Sequence, residues 1–187
     1  MARWDPGAAD KLVQAALALY LERGFADVTV AEIAARAGLT KRTFFRHFAD
    51  KREVLFAGGA AFQDAVVAAV DDAPAGVAPI DAVATALAVG GTGLTRYGEL
   101  VRQRQDAIAA SPDLQERELL KLAALTTALA AALRRRGVHD PAASLTAQAG
   151  VAVFKTAFER WVDEDGRPEF SPLLHAVLDD LRAAICR

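Results

Sequence analysis

A short run of basic side chains is the part of the sequence best suited to chemistry. Between Arg36 and Arg52 there are six Lys and Arg residues and a single acid, Asp50. Lysine and arginine at this density can neutralise phosphate groups, and an arginine can also pair with the O6 and N7 atoms of guanine. Charge alone leaves a second interpretation open, which is a solvated basic surface without a partner.

The basic run stands on a chain that is acidic elsewhere. The 187 residues carry a formal net charge of −2. Residues 1–56 contain nine Lys and Arg against seven Asp and Glu, whereas residues 57–187 contain 13 against 17. A local excess of positive charge on an acidic body is typical of a protein that binds a polyanion through one part of its surface.

The composition predicts an all-α protein. Hydrophobic residues make up 53% of the chain, which argues against disorder. There are 43 alanines against 13 glycines and seven prolines, and alanine is the strongest helix former. No uncharged stretch reaches 18 residues, which argues against a transmembrane helix, and the first residues lack an apolar targeting segment. We therefore expect a cytoplasmic protein with no membrane partner.

Four helices are predicted to position the basic run. The first spans about residues 8–23 and stops at Gly24. Thr29 opens the second as T-V-A-E, a capping box in which Glu32 occupies the third helical position. Thr40 caps a short third helix. Asp50 opens the fourth with a second such box, D-K-R-E, and its apolar spacing continues to about residue 70.

The second and third helices are too short to be stable alone, so they must pack on their neighbours. A tight turn at residues 37–39 joins them. We expect Ile33, Ala34, Phe44 and Phe48 to face the core. The side chains left to point outward are then Lys41, Arg42, Thr43, Arg46 and His47. This is the layout of a helix-turn-helix, which offers its second helix to the major groove of DNA.

Five further helices are predicted, for about nine in all. Two lie at about 80–89 and 97–110, separated by a Gly/Thr-rich kink. The next begins at Ser111-Pro112 and is apolar almost all round between Leu119 and Leu133, which predicts a buried central helix. The last two are predicted to begin at Asp140-Pro141 and at Ser171-Pro172.

The N-terminal sequence resembles the tetracycline-repressor (TetR) family of bacterial regulators. The elements that match are A-A-L-x-L-Y-x-E-R-G-F, T-V-A-E-I-A-A-R-A-G and L-T-K-R-T-F-F-R-H-F-A-D-K-R-E-V-L. Two positions depart from the family pattern: Phe45 replaces the usual Tyr, and Arg42 stands where Gly is frequent. The missing hydroxyl removes an expected phosphate contact, and the added guanidinium changes what the third helix can read.

The resemblance implies a role for each residue of the helix-turn-helix. Thr29 and Thr40 would cap their helices and touch phosphates, while Lys41, Arg42 and Thr43 would lie near base edges. Arg42 is the best candidate for a base contact. Phe45 and His47 would approach the DNA backbone, and Lys51 would neutralise a phosphate. Arg3 and Trp4 could form an arm on the DNA or a disordered end.

Beyond the helix-turn-helix, the resemblance implies a body that dimerises and binds a small-molecule effector. We expect the DNA-binding domain to span residues 1–50 and the second domain residues 51–187. A stripe of small residues in the eighth helix, Ala142, Leu145, Ala149 and Ala152, would suit contact with a second copy or an intramolecular core. The expected effector-site residues are Phe62, Leu87, Tyr97, Arg102, Leu122, Leu125, Thr126, Phe154, Phe158 and Trp161.

The residues of the second domain leave the effector class open. The passage from Gly98 to Val138, with FERWV further on, is similar to a TetR subgroup that binds acyl-CoA-like ligands. That similarity would let Arg96, Arg102 and Arg104 meet phosphates or a carboxylate. The alternatives are solvated surface arginines and, for Thr126 and Gln148, hydrogen bonds to the backbone.

The sequence contains no recognisable catalytic or metal-binding pattern. His139 and His175 have no partner at ligand spacing, and Cys186 is the single cysteine. No P-loop, G-x-S-x-G or Rossmann glycine pattern is present. We therefore expect a ligand-responsive DNA-binding regulator with no cofactor and no enzymatic activity. The alternative is an all-α small-molecule-binding protein without a DNA function.

Overall fold

The computed structural model describes residues 7–91, 98–164 and 169–185. Within these residues the chain forms nine α-helices and one 3-10 turn, and no strand. The helices are α1 (Ala8–Arg23), α2 (Val30–Arg36), α3 (Lys41–His47), α4 (Gly59–Asp71), α5 (Pro79–Gly90), α6 (Gly98–Ala109), α7 (Pro112–Arg135), α8 (Ala142–Asp163) and α9 (Phe170–Ile185). The all-α prediction is confirmed. Five residues discussed above lie outside the described part: Arg3, Trp4, Arg96, Tyr97 and Cys186.

The chain divides into two compact units. The first comprises residues 1–58 together with 102–119, and the second comprises residues 59–101 together with 120–187. The division passes through α6 and α7, so neither unit is a continuous segment.

The first unit is built as the sequence predicts. Leu12, Ala16 and Leu17 of α1 are buried, and so are Ile33 and Phe44 of the two short helices. Phe48, which directly follows α3, is 8% exposed. Burying these side chains compensates for the weak intrinsic stability of two seven-residue helices.

The predicted fourth helix, from Asp50 to about residue 70, is interrupted. A 3-10 turn covers Glu53–Phe56, and α4 begins only at Gly59. Gly58 lies between them with φ of +80°, a left-handed conformation that ends a helix and that glycine adopts most easily. Asp50 accepts hydrogen bonds from the amides of Arg52 (2.7 Å) and Glu53 (3.2 Å), but a 3-10 turn follows it. The prediction of a continuous α-helix from Asp50 is therefore wrong.

The same break bears on membrane insertion. The 19-residue stretch Glu53–Asp71 is long and apolar enough to cross a membrane by length and composition alone, with a mean hydropathy of 1.4. Its regular part is the 13-residue α4. A helix of that length is shorter than the roughly 20 residues needed to span a bilayer.

Helix α7 is not buried all round as predicted. Leu125, Leu129 and Leu133 are buried, but Leu119 is 60% exposed and Leu120 is 52% exposed. Ala123 and Ala124 continue the exposed face. The prediction treated alanine as a sign of burial, whereas alanine is also the best helix former at exposed positions.

The core of the second unit lies where α5 packs against α4, α8 and α9. This core includes Val83 and Leu87 of α5 and Ala147 and Ala157 of α8, all of which are fully buried. Gly150 lets α8 approach α5 closely, because a β-carbon there would collide with the side chain of Val83. Small residues on α8 therefore set the distance between the two helices.

The last two helices begin close to the predicted positions. Pro141 is the N-cap of α8, while α9 starts at Phe170, so Ser171 and Pro172 lie in its first turn and not before it. Leu145 is 59% exposed and Ala142 and Ala152 are exposed. These three residues therefore do not belong to an intramolecular core, which was one of the two interpretations of the stripe.

Candidate nucleic-acid interface and effector site

A glycine turn sets the angle between α2 and α3. Gly38 has φ of +68°, and its amide donates to the carbonyl oxygen of Ala35 at 3.0 Å. The amide of Leu39 donates to the carbonyl oxygen of Ala34 at 2.8 Å, which is the hydrogen-bond pattern of a helix ended by a left-handed glycine. The second helix of the pair then begins only three residues after Gly38, as a helix-turn-helix requires.

The outer face of α3 carries the predicted DNA-contacting side chains together. Lys41, Arg42, Arg46 and His47 are exposed, and Thr43 is half-buried. Phe45 is 50% exposed, with its ring 5.9 Å from the amino group of Lys41 and edge-on to the buried ring of Phe44. This face therefore combines positive charge with one accessible aromatic ring.

The cations of α3 differ from their neighbours because they lack acidic partners. Three ion pairs join nearby residues: Arg23 to Glu32 at 2.9 Å, Arg36 to Glu22 at 2.8 Å and Arg52 to Asp50 at 2.9 Å. Within the described residues no such pair involves Lys41, Arg42, Arg46 or His47. The positive charges of Lys41, Arg42 and Arg46 are therefore available to a ligand. Arg46 was predicted to face outward but was not among the expected contacts, and its lack of a partner marks it as an additional candidate.

Two threonines fix the helix starts, as predicted. The hydroxyl oxygen of Thr29 accepts from the amide of Glu32 at 3.3 Å, and a Glu32 carboxylate oxygen accepts from the amide of Thr29 at 2.8 Å, which completes the capping box. These bonds from Thr29, with support from Arg23, lower the pKa of Glu32 to about 2. At α3, Thr40 accepts from the amide of Thr43 at 3.1 Å. Both caps are exposed; their phosphate contacts stay predictions.

Lys51 is engaged inside the protein. Its Nζ donates to the carbonyl oxygens of Phe25 (2.7 Å), Val28 (2.9 Å) and Ala26 (3.2 Å), and it lies 4.2 Å from the centre of the Phe25 ring. A phosphate contact by Lys51 would require these bonds to be given up. This arrangement could not be predicted from residue types, because the partners of Lys51 are backbone oxygens.

Two arginines reach the 3-10 turn Glu53–Phe56 from elsewhere in the first unit. The Nε of Arg104 donates to the carbonyl oxygen of Leu55 at 2.7 Å, and its guanidinium lies 5.0 Å from the Phe56 ring. Arg117 pairs with Glu53. Arg104 is therefore not a solvated surface arginine, and a ligand contact by its guanidinium would have to compete with these bonds.

Aromatic side chains form a connected row in the second unit. The ring centres are 5.7 Å apart for Phe62 and Phe154, 6.2 Å for Phe154 and Phe158, and 6.4 Å for Phe158 and Trp161. Phe170 packs edge-on against Phe154 at 5.6 Å. The structure thus brings four predicted effector-site residues together and adds Phe170, which was not predicted to belong to the site.

The other predicted effector residues have varied surroundings. Leu87 and Leu125 are buried in the core of the second unit, and Leu122 is half-buried beside it. The hydroxyl of Thr126 donates to the carbonyl oxygen of Leu122 at 2.9 Å, so the backbone alternative holds for Thr126. Arg102 belongs to the first unit and is half-buried. Tyr97 lies outside the described residues.

The second unit also has a cavity, which is not lined by the aromatic row. A cavity of about 410 Å³ is lined by Ala73, Ala75, Gly76, Val77, Pro79, Arg136, Gly137 and Val138. None of these is a predicted effector residue. The guanidinium of Arg136 is already bound to the carbonyl oxygens of Asp71, Ala73 and Pro74.

Within the described part of the chain no group of His, Cys, Asp and Glu could hold a metal ion.

The fold and the exposed basic helix define a helix-turn-helix regulator, and comparison with known proteins gives its family. The family described as "Bacterial regulatory proteins, tetR family" matches residues 12–57, and the family described as "MftR C-terminal domain" matches residues 77–185. The chain belongs to the TetR family of DNA-binding transcriptional regulators, whose members are regulators and not enzymes.

Two curated relatives are similar in sequence. TcmR of Streptomyces glaucescens, an HTH-type transcriptional regulator, is 41% identical over 91 residues, which is 49% of this chain and only 40% of TcmR. MftR of Mycobacterium tuberculosis is 26% identical over 175 residues, covering 92% of this chain and 88% of MftR.

Solved structures share the fold at low identity. SmeT in a complex with triclosan is 21% identical with a TM-score of 0.66, over 95% of this chain and 91% of SmeT. FadR of Bacillus subtilis in complex with stearoyl-CoA is 18% identical with a TM-score of 0.64, over 92% of this chain and 96% of FadR. These likenesses concern the fold alone.

Proposed function

We propose that the protein is a homodimeric repressor that binds a pseudo-palindromic operator through α3 and releases it when a small apolar molecule binds. The observation that carries this proposal is the outer face of α3, where Lys41, Arg42, Arg46 and His47 are exposed without acidic partners. We assign DNA binding to residues 1–50, and effector binding and dimerisation to residues 51–187. Because the partner is operator DNA, we expect the protein in the cytoplasm.

The side chains of α3 divide into two roles. Arg42, near the start of the helix, is proposed to reach a guanine in the major groove, with Lys41 and Thr43 beside it. Thr29, Thr40, Phe45, Arg46 and His47 are proposed to contact the DNA backbone. In a dimer the twofold axis places the two recognition helices about 34–36 Å apart, one turn of DNA.

The dimer contact is proposed to use the exposed small-residue face of α8 together with α9. Leu145 and Ala152 of α8 are exposed, and Ile185 of α9 is 70% exposed. Two copies of such a helix pair can form a four-helix bundle around a twofold axis, in which each copy buries the same patch.

The effector is proposed to bind along the aromatic row Phe62, Phe154, Phe158 and Trp161, with Leu122 and Leu125 beside it. A ligand with a long apolar part suits side chains of this kind. The bound molecules of the FadR structures, stearoyl-CoA and lauroyl-CoA, make acyl-CoA a reasonable first probe. We do not include Arg104 among the groups proposed for the CoA phosphates, because its Nε is bound to the carbonyl oxygen of Leu55.

One experiment tests the DNA-binding part. Purified protein is used to select fragments from a random duplex pool, and the selected fragments are sequenced. We expect enrichment of a pseudo-palindrome with half-sites one helical turn apart. Binding without enrichment of any motif would contradict the operator proposal. No binding at low ionic strength would favour the alternative of a small-molecule-binding protein without a DNA function.

A second experiment tests the effector. Thermal unfolding is followed with lauroyl-CoA, with CoA alone and with free laurate. A ligand at 100 times its Kd stabilises the folded state by about 2.7 kcal/mol, which gives a clear rise in Tm. The same ligand should release the selected duplex. Stabilisation by laurate as large as that by lauroyl-CoA would assign binding to the apolar chain and exclude a CoA-specific site.

A further inference from the structure

The amino group of Lys51 lies among the carbonyl oxygens of the loop that joins α1 to α2. Its distances to the oxygens of Phe25, Val28 and Ala26 are 2.7, 2.9 and 3.2 Å. An ammonium group has three N–H donors, so each donor has an acceptor. The ring of Phe25, 4.2 Å from Nζ, adds a cation–π contact.

The backbone of Lys51 is tied to α1 as well. The hydroxyl of Tyr20 donates to the carbonyl oxygen of Lys51 at 2.6 Å, and the Tyr20 ring packs edge-on against Phe25 with ring centres 5.2 Å apart. Burial raises the pKa of Tyr20 and the carboxylate of Asp50 raises it further, so the hydroxyl keeps its proton at neutral pH. Hydrogen bonds therefore hold the backbone of Lys51 to α1 and its side chain to the loop that follows α1.

The loop held by Lys51 leads directly into the helix-turn-helix. Val28, whose oxygen is one of the three acceptors, is 1% exposed and precedes Thr29, the N-cap of α2. Helix α2 packs in turn against α3. A displacement of this loop would move the start of α2, and through α2 the outer face of α3.

We infer that Lys51 is a positioning residue of the DNA-binding unit, whose ammonium group closes the α1–α2 loop and does not neutralise a DNA phosphate. This inference rests on the proposed DNA binding and replaces the phosphate contact that the family resemblance implies for Lys51. It predicts that Lys51 contributes to affinity through the placement of α3 and contributes nothing to the number of phosphates neutralised.

The salt dependence of DNA binding separates the two roles. The logarithm of the binding constant falls with the logarithm of salt concentration, with a slope of about −0.9 for each phosphate neutralised. The Lys51→Met variant should bind a random-sequence duplex about three- to tenfold more weakly with the slope of the wild type. The matched control Arg46→Gln, on the exposed face of α3, should make the slope less steep by about 0.9. A loss of slope in Lys51→Met equal to that in Arg46→Gln would overturn the inference, and so would unchanged affinity.

The Lys51→Arg variant, which keeps the positive charge, gives a second test. The donors of a guanidinium spread in a planar fork and cannot all point to three oxygens around one atom, whereas either cation can pair with a phosphate. Lys51→Arg should therefore lose affinity as Lys51→Met does. Wild-type affinity in Lys51→Arg, together with a loss in Lys51→Met, would show a phosphate contact.

A measurement on the unaltered protein remains decisive if Lys51→Met does not fold. Heteronuclear NMR of the lysine ammonium groups should show slow proton exchange for Lys51 in the free protein and no shift when the random-sequence duplex is added, while the Lys41 signal shifts. A Lys51 signal that shifts like that of Lys41 would overturn the inference. A wild-type protein that binds no duplex would instead refute the proposed function, so the two failures are distinguishable.

Discussion

The Nε of Arg104 donates a 2.7 Å hydrogen bond to the main-chain oxygen of Leu55, within the first unit. The guanidinium also lies against the Phe56 ring and 3.5 Å from a carboxylate oxygen of Glu118. Burial lowers the pKa of Arg104, and Glu118 partly offsets this effect. An arginine stays protonated in proteins even so, so a charged group stabilises a 3-10 turn whose own hydrogen bonds are few.

Replacing Arg104 by Met should lower the free energy of unfolding by about 1–3 kcal/mol, because the oxygen of Leu55 and the carboxylate of Glu118 both lose a partner. Urea unfolding measures this change. The control is Arg102→Met on the same helix, since Arg102 has no hydrogen bond or ion pair to another described residue. We expect less than about 0.5 kcal/mol there. Equal losses in the two variants would refute the role of the Leu55 bond.

Substitution of Arg42 by Ala should cost about 1–3 kcal/mol of operator affinity and relax the preference at one base position. The physical reason is that a guanidinium pairs with guanine through two hydrogen bonds. The measurement is competition between the selected duplex and single-base variants of it.

The control for the Arg42→Ala variant is Arg36→Ala. Arg36 is also exposed, but it is paired with Glu22 at 2.8 Å. Exposed ion pairs contribute little, so we expect a near-neutral effect on both affinity and specificity. An Arg42→Ala variant that weakens every duplex equally would show a contact to phosphate only.

The capping box of α2 predicts a pH dependence. The pKa of Glu32 is about 2 in the folded protein against an ordinary value of 4.5, so folding favours its ionised form. The resulting stabilisation is present above about pH 4.5 and is lost as the pH falls toward 2. The unfolding free energy should therefore decline less steeply in this window for Glu32→Gln than for the wild type. Asp50 and Asp140, whose pKa values are also lowered, remain in both proteins and cancel in the difference. Parallel curves would exclude the Glu32 contribution.

The close approach of α8 to α5 predicts a steric effect at Gly150. A methyl group there would collide with Val83, a β-branched residue with little rotamer freedom. Gly150→Ala should destabilise the protein by about 1–2 kcal/mol, since overpacking exceeds the gain in helix propensity. The control is Gly59→Ala in α4, where no atom lies within 4 Å of the added carbon. That variant should be stabilised by up to about 1 kcal/mol. Thermal unfolding of both variants is the measurement, and a stabilised Gly150→Ala would contradict the packing.

The proposed dimer predicts that Leu145→Asp yields a monomer in sedimentation experiments. A charge on the exposed face of α8 would be buried without a partner in the proposed dimer. Leu119→Asp on α7 is a matched control, because the two leucines are 59% and 60% exposed in the single chain. We expect Leu119→Asp to stay dimeric, and a reversal of these two results would place the dimer contact on α7.

Sequence reasoning was accurate where local chemistry decides structure. Thr29 with Glu32, Thr40 with Thr43, and the positive φ of Gly38 each depend on residues within a few positions, so the short helices and the turn could be predicted. The same holds for Phe44, whose burial follows from helical spacing.

It failed where a distant partner decides. The continuous fourth helix was predicted from apolar spacing, which overlooked the local break at Gly58. The 3-10 turn before this glycine could not be predicted, because Arg104 and Arg117 hold it from elsewhere in the unit. The bonds of Lys51 could not be predicted for a related reason, because its acceptors are carbonyl oxygens at least 23 positions away in the chain. Backbone oxygens have no sequence signature.

The ion pairs of the first unit have a consequence for how the protein behaves in solution. Glu22, Glu32 and Asp50 are each held by an arginine that is not on α3, so they do not offset the charge of that helix. A protein with an isoelectric point near 5.9 would ordinarily pass through a heparin column at neutral pH. This one should be retained there and should elute with added salt, since Lys41, Arg42 and Arg46 of α3 have no acidic partner among the described residues although the chain carries a net charge of −2.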